Sequence, residues 1–159
     1  ATGSSGVLIN SAFGIGPSLS QTGVNGPSIF PTTSLAMNLK YQSSTSFYFQ
    51  HGIFNATTGD SLEPKNTRIT TALDNGLLLV WEGGYVSDDE AGSHKYGLGA
   101  WLYTKAQACL DSTRSDLQNS GFYLLFDQKV SEQISLFVKH GVASPDVNRF
   151  AMSTEVGVF

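Results

Sequence analysis

The chain has 159 residues and a formal net charge of −4, which excludes the basic footprint of a nucleic-acid-binding domain. Charged residues make up 14 % of it, against about 25 % in a typical soluble domain. Their place is taken by Ser, Thr, Asn, Gln and 17 Gly, with ten Phe in an aromatic fraction of 11 %, and the longest apolar run, Leu77 to Trp81, is far short of the roughly 18–20 residues of a membrane-spanning helix.

Period-two alternation dominates the chain and predicts eight strands. The first, 6–13, follows an N-terminus with no basic region leading into an apolar stretch, so no signal peptide is expected there. Residues 14–33 form a connection rich in Gly, Pro and Ser. Its "GIGPSLSQTG" at 14–23 has glycines but no lysine and no expected helix behind it, which argues against a phosphate loop. Strands at 34–42 and 45–54 meet at a tight turn, Ser43-Ser44. After a long loop, 55–76, comes a strand at 77–86. The "SDDEAG" that follows it groups Asp88, Asp89 and Glu90 without the spacing of an EF-hand, and reads as a solvated turn. The next strand is 94–104. The loop behind it contains Lys105 to Gln118, where alone a turn or two of helix is expected, and Cys109, a single cysteine that reads as an inert loop thiol. Strands at 121–130 and 133–142 are joined by the two-residue turn Ser131-Glu132, and the last strand is 149–158. Long and short connections alternate along this series. That rhythm fits an antiparallel meander with its long loops at one end, and a Greek-key sandwich does not require it.

Each strand divides its residues by parity. Leu35, Met37, Leu39 and Tyr41 oppose Ala36, Asn38 and Lys40; Tyr96, Leu98, Ala100 and Leu102 oppose Lys95, Gly97, Gly99, Trp101 and Tyr103; Met152, Val156 and Val158 oppose Ser153, Glu155 and Gly157. One face is apolar, the other polar, small or charged. In the 45–54 strand Tyr48 and Phe54 fall on the polar parity and His51 on the apolar one. A one-sided soluble sheet alternates in the same way. Three features favour a transmembrane barrel instead. The strands have about the 9–11 residues that cross a bilayer at a tilt. Aromatics stand near strand ends at Tyr41, Tyr85, Tyr96, Phe122 and Phe150, as interfacial girdles do. No helix is expected to cover the apolar face.

"GVLINSAFG" at 6–14, "GLLLVWEGGY" at 76–85, "KYGLGAWLYT" at 95–104, "GFYLLFDQKV" at 121–130 and "ISLFVKHGVASPDVNRF" at 134–150 resemble the carbohydrate-selective outer-membrane porins of the OprB family. "SLAMNLKYQSSTSFYFQHGIFNATTGD" at 34–60 resembles a hairpin of the same family. The pieces run in the family's order over nearly the whole chain; the loops at 15–33, 61–75 and 105–119 carry little of the likeness. The resemblance implies an all-β, antiparallel, up-and-down transmembrane β-barrel of about sixteen strands in the outer membrane of a Gram-negative bacterium. It also implies passive diffusion of small sugars without catalysis or cofactor, contact with membrane lipid and lipopolysaccharide, and, by family analogy, a trimer. About eight strands are expected here, so residues 1–159 read as one barrel domain incomplete at both ends. Phe159 shares the polar parity, which suits an interior residue better than a terminal lipid-facing aromatic.

If the polar parity faces a water-filled lumen, the candidates for sugar contact are Lys40, Glu82, Asp127, Lys129, Lys139, Arg149 and Glu155, with Lys95 beside them. Mixed acids and bases supply the donors and acceptors that hydroxyls need. Trp101 and Tyr103 are candidates to stack on sugar CH faces, with Phe137 and Tyr48 behind them. The competing reading is structural: charges on neighbouring strands pair across the wall, Asp127 with Lys139 first among them, and Trp101 packs under a loop. His51, His94 and His140 are too scattered to name a metal site, and "DSTRSD" has no nearby histidine for a nucleophile triad. A soluble β-rich, lectin-like carbohydrate-binding domain remains the alternative.

Overall fold

The computed structural model describes residues 15–23, 26–27, 33–43, 46–59, 76–89 and 92–158, with the backbone alone at 88, 89 and 92. The expected strand at 6–13 and Phe159 lie outside these. A single turn of helix, α1 (Pro17–Ser20), precedes seven strands: β1 (Ala36–Gln42), β2 (Phe47–Asn55), β3 (Leu77–Asp89), β4 (Gly92–Tyr103), β5 (Ser120–Lys129), β6 (Ser135–Ala143) and β7 (Met152–Val158). Each strand pairs antiparallel with the next, so the sheet runs β1 to β7 without a crossover. Its register sets Leu39 against His51, Trp81 against Ala100, Leu98 against Leu124 and Val138 against Val156. This is the all-β up-and-down meander that the loop rhythm implied, with β1 and β7 as two edges that do not pair with each other.

Five local expectations change. Helix forms at Pro17–Ser20, where proline occupies a first-turn position that lacks a partner for its N–H in any case. None forms in 105–118, where Gln107 and Leu117 make an isolated antiparallel bridge. There Asp111 Oδ1 accepts from the Thr113 amide (3.0 Å) and hydroxyl (2.7 Å), a side-chain turn that competes with helix. The β3–β4 ladder runs on to Asp89 and Gly92, past the expected strand bounds at 86 and 94. At the β5–β6 hairpin the Val130 amide donates to the Ile134 carbonyl (2.8 Å), so the loop is Ser131–Gln133. Finally, β7 starts at Met152, and Arg149 and Phe150 belong to the connection before it.

Asn148 explains that late start. Its side chain donates to Asn119 Oδ1 (2.7 Å) and to the Ser144 carbonyl (2.8 Å), and Asn119 returns a bond to Asn148 Oδ1 (3.1 Å). Asn119 also donates to Gln107 Oε1 (2.6 Å). Both amides are buried and tie the 104–119 loop to the 144–151 connection at the long-loop end. Asn119→Ala is expected to cost about 1–3 kcal/mol, the penalty for stranding buried polar partners. It should also speed proteolytic cleavage within 104–119, read by mass spectrometry of the nicked chain.

The two faces differ as the parity argument requires. Phe49, Leu98, Phe122, Leu124, Met152, Val156 and Val158 are exposed, while Glu82, Asp127, Lys139 and Glu155 are buried. Water-soluble domains distribute these residue types the other way round. On the apolar face Phe47, Tyr85, Tyr96 and Phe126 stand side by side on four adjacent strands, with successive ring centroids 5.4, 6.2 and 5.1 Å apart. This row lies toward the short-turn end and has the placement of an interfacial aromatic girdle.

Candidate functional site

The inner face is built from glycines and large rings together. Tyr48 lies over Gly84, Tyr123 over Gly99, Trp101 over Gly121 and Phe137 over Gly157, so closely that a Cβ at any of these glycines would collide with the ring. In each case the ring extends sideways across a neighbouring strand. A side chain on the neighbour would push it into the interior, so glycine lets a bulky aromatic lie flat on the wall.

Glu82 is the centre of the polar network. The Tyr48 hydroxyl (2.8 Å) and Gln50 Nε2 (3.1 Å) donate to its Oε1, the Tyr123 hydroxyl donates to its Oε2 (2.9 Å), and Lys95 Nζ stands 3.3 Å from Oε1. Lys95 also lies 5.3 Å from the Tyr48 ring centroid and Lys40, from the opposite side, 6.0 Å. Four strands, β2 to β5, supply this cluster, which therefore fixes their mutual position.

The charges form opposite-sign pairs along the register. Lys95 faces Asp127 across β4–β5 and Lys139 faces Glu155 across β6–β7. The expected Asp127–Lys139 pairing is a diagonal one: Asp127 stands opposite Phe137, and Lys139 opposite Leu125. Lys139 Nζ lies 5.5 Å from the Phe137 ring centroid.

Trp101 and Tyr103 share the inner face but are covered. They meet edge-on at 6.0 Å and join Ala56, Leu78 and Ala143 in an apolar cluster, with Leu19 of α1 packed against it. The Tyr103 hydroxyl is 3.1 Å from Thr22 Oγ1. Lys129 sits at the last ladder pair of β5, opposite Ser135. Lys40 lies on the exposed edge strand β1, and Arg149 is exposed in the β6–β7 connection. The inner face therefore brings together Glu82, Asp127, Lys139 and Glu155, leaves Lys40 and Lys129 at its margins, and leaves Arg149 outside the strands.

Sequence reasoning missed Gln50, Tyr123, Ser18 and Ser153. The first two and Ser153 share the lumen parity and were legible by alternation alone. Ser18 was not, because α1 carries no period that places it. Its hydroxyl bonds Ser153 Oγ (3.0 Å), and α1 packs on β6 and β7. Beside it a cavity of about 240 Å³ is lined by Gln50, Glu82, Tyr123, Lys139, Ser153 and Glu155, among others. No group of three or more metal-ligating side chains occurs among the described residues.

Outside the strands, two charged groups are shifted by their neighbours. The Thr113 hydroxyl, and then its amide, hold the Asp111 carboxyl below its ordinary value. A bond from Arg114 Nη1 to Asp146 Oδ1 (2.7 Å) raises the guanidinium further. Because the Asp111 value is depressed on folding, its turn is fully formed above the unfolded value near 3.8 and is lost as pH falls through the folded value. The Thr113 amide resonance is expected to stay constant from neutral pH down to about pH 4 and to move only below it; Asp111→Asn should remove that titration.

No curated protein and no solved structure matches the chain. The model of one family, described as carbohydrate-selective porin, OprB family, matches residues 2–159. Its strands, their order and the inverted faces agree with that match, and the chain belongs to the OprB family of carbohydrate-selective porins.

Proposed function

We propose that this chain forms wall and lining of an aqueous channel in the outer membrane of a Gram-negative bacterium, through which small carbohydrates diffuse passively. The observation that carries the reading is the inverted sheet: apolar side chains exposed on one face, and carboxylates, lysines and phenols covered on the other. Lipid and lipopolysaccharide meet the first face, and solute passes the second. Acids and bases of both signs along one wall leave little net field, which suits neutral polyols better than ions. Glu82, with all its partners supplied by the wall, shapes the passage; the chemistry is transport, and no residue is assigned a catalytic role.

Liposome swelling tests the reading. Vesicles holding the protein should swell in isosmotic glucose, and faster than in a salt whose ions match glucose in size. Intact, inserted protein that passes no glucose would overturn it.

A further inference from the structure

We propose that the recess beneath α1, walled by Lys139, Ser153 and Glu155, is a seat for one vicinal diol of a passing polyol, and that the Ser18 hydroxyl fills part of this seat until the polyol displaces it. The proposal rests on the channel reading above.

Glu155 is only 8 % exposed; Ser153 beside it and Lys139 opposite it are its polar neighbours, but neither carboxylate oxygen meets a donor in full hydrogen-bond geometry among the described residues. A buried carboxylate short of donors is costly, and this one opens on a cavity of about 240 Å³. Its two oxygens are acceptors side by side. Two hydroxyls on adjacent carbons present two donors at a matching spacing, so a vicinal diol satisfies both oxygens at once. Lys139 stands opposite in register and balances the charge of the carboxylate. The acid–base pair keeps the seat near neutral, which favours an uncharged ligand.

The covering segment meets this seat with the same chemistry. Ser18 Oγ is 3.0 Å from Ser153 Oγ, and it enters the space left by Gly141, where any Cβ would collide with it. Gly16 lies over the carboxylate: a Cβ there would fall 2.7 Å from Glu155 Oε1 and 3.0 Å from Ser153 Oγ. Just beyond, the Thr22 hydroxyl is shared between the Leu19 carbonyl (2.8 Å) and the Tyr103 hydroxyl. Residues 15–23 carry no charge, so hydroxyl bonds and apolar contact hold them. A polyol exchanges hydroxyl for hydroxyl at Ser153 and gains the two bonds to Glu155 that Ser18 does not make.

The test compares fluxes through the reconstituted protein for glucose, which has vicinal diols, and triethylene glycol, which has none. Glu155→Gln should raise the half-saturation concentration for glucose about tenfold, the effect of one charge-assisted hydrogen bond, and leave triethylene glycol flux unchanged. Ser18→Ala, on α1 outside the sheet, should lower the glucose half-saturation concentration severalfold by removing the competitor. Equal changes for both solutes, or an unchanged glucose value in either variant, would overturn the seat. Wild-type protein that passes no glucose would instead sink the channel reading and the seat with it.

Discussion

Glu82→Ala should lower the stability of the folded chain by about 3 kcal/mol, the low end of the roughly 3–5 kcal/mol for removing one partner of a buried ion pair. The carboxylate is covered, and it accepts from Tyr48, Gln50 and Tyr123 while pairing with Lys95. Its removal leaves two inward phenol hydroxyls without their acceptor, each worth about 1–3 kcal/mol when stranded. Lys95 is only partly covered and keeps Asp127 opposite it on β5, which holds the loss to the low end. Glu82→Gln retains the shape and one carbonyl oxygen, and should cost about 1 kcal/mol, close to one neutral hydrogen bond. Urea unfolding in phospholipid vesicles measures both through the fluorescence of Trp81 and Trp101. Equal losses for Ala and Gln would mean that the charge itself, and not the acceptors, holds the four strands together.

That network shows what alternation along the chain reveals and what it hides. Parity alone placed Tyr48, Glu82 and Lys95 on one face, and would have placed the overlooked Tyr123 there too, because a strand's side chains alternate and a one-residue slip would turn every one of them over. It could not show that these side chains converge, since convergence depends on register across β2 to β5. The same limit applies to Asp127: its place on a strand beside that of Lys139 suggested their pairing, and only the register shows that this pair is diagonal and that Lys95 stands directly opposite Asp127. The glycines of the strands were visible as small residues on the polar parity. Their role as slots for Tyr123, Trp101 and Phe137 needed the distances between strands. Trp101 and Tyr103 were candidates for a stacking ladder, with packing under a loop as the competing reading for Trp101; Leu19 and the segment beyond α1 pack over them. A one-turn helix has no hydrophobic period from which its docking could be inferred. The seven described strands were legible to within about three residues at each end because ten-residue alternation is a strong signal. The connections were not, because Asn119, Asp111 and Asn148 act through single side-chain hydrogen bonds that have no period.

The direction of the faces carries the largest consequence for the membrane. Leu98→Arg is expected to cost about 2–4 kcal/mol in a bilayer, the penalty for arginine on a lipid-facing barrel strand near the midplane. Leu98 is 59 % exposed and opposes Leu124 at the middle of β4 and β5, remote from both ends where an arginine could reach headgroups. The same change on a sheet whose apolar face met water would fall within about 0.5 kcal/mol, as exposed substitutions do. Tyr96→Arg, two residues nearer the short-turn end in the aromatic row, should be milder than Leu98→Arg, because the penalty falls toward the interface. Vesicle-based unfolding of both variants gives the comparison. A steep fall in cost from Leu98 to Tyr96 requires a hydrocarbon layer centred on the middle of these strands, with the girdle at its boundary. A flat, near-zero cost at both positions would mean that this face meets water, and the lumen assignment of Glu82, Asp127 and Lys139 would then lose its basis.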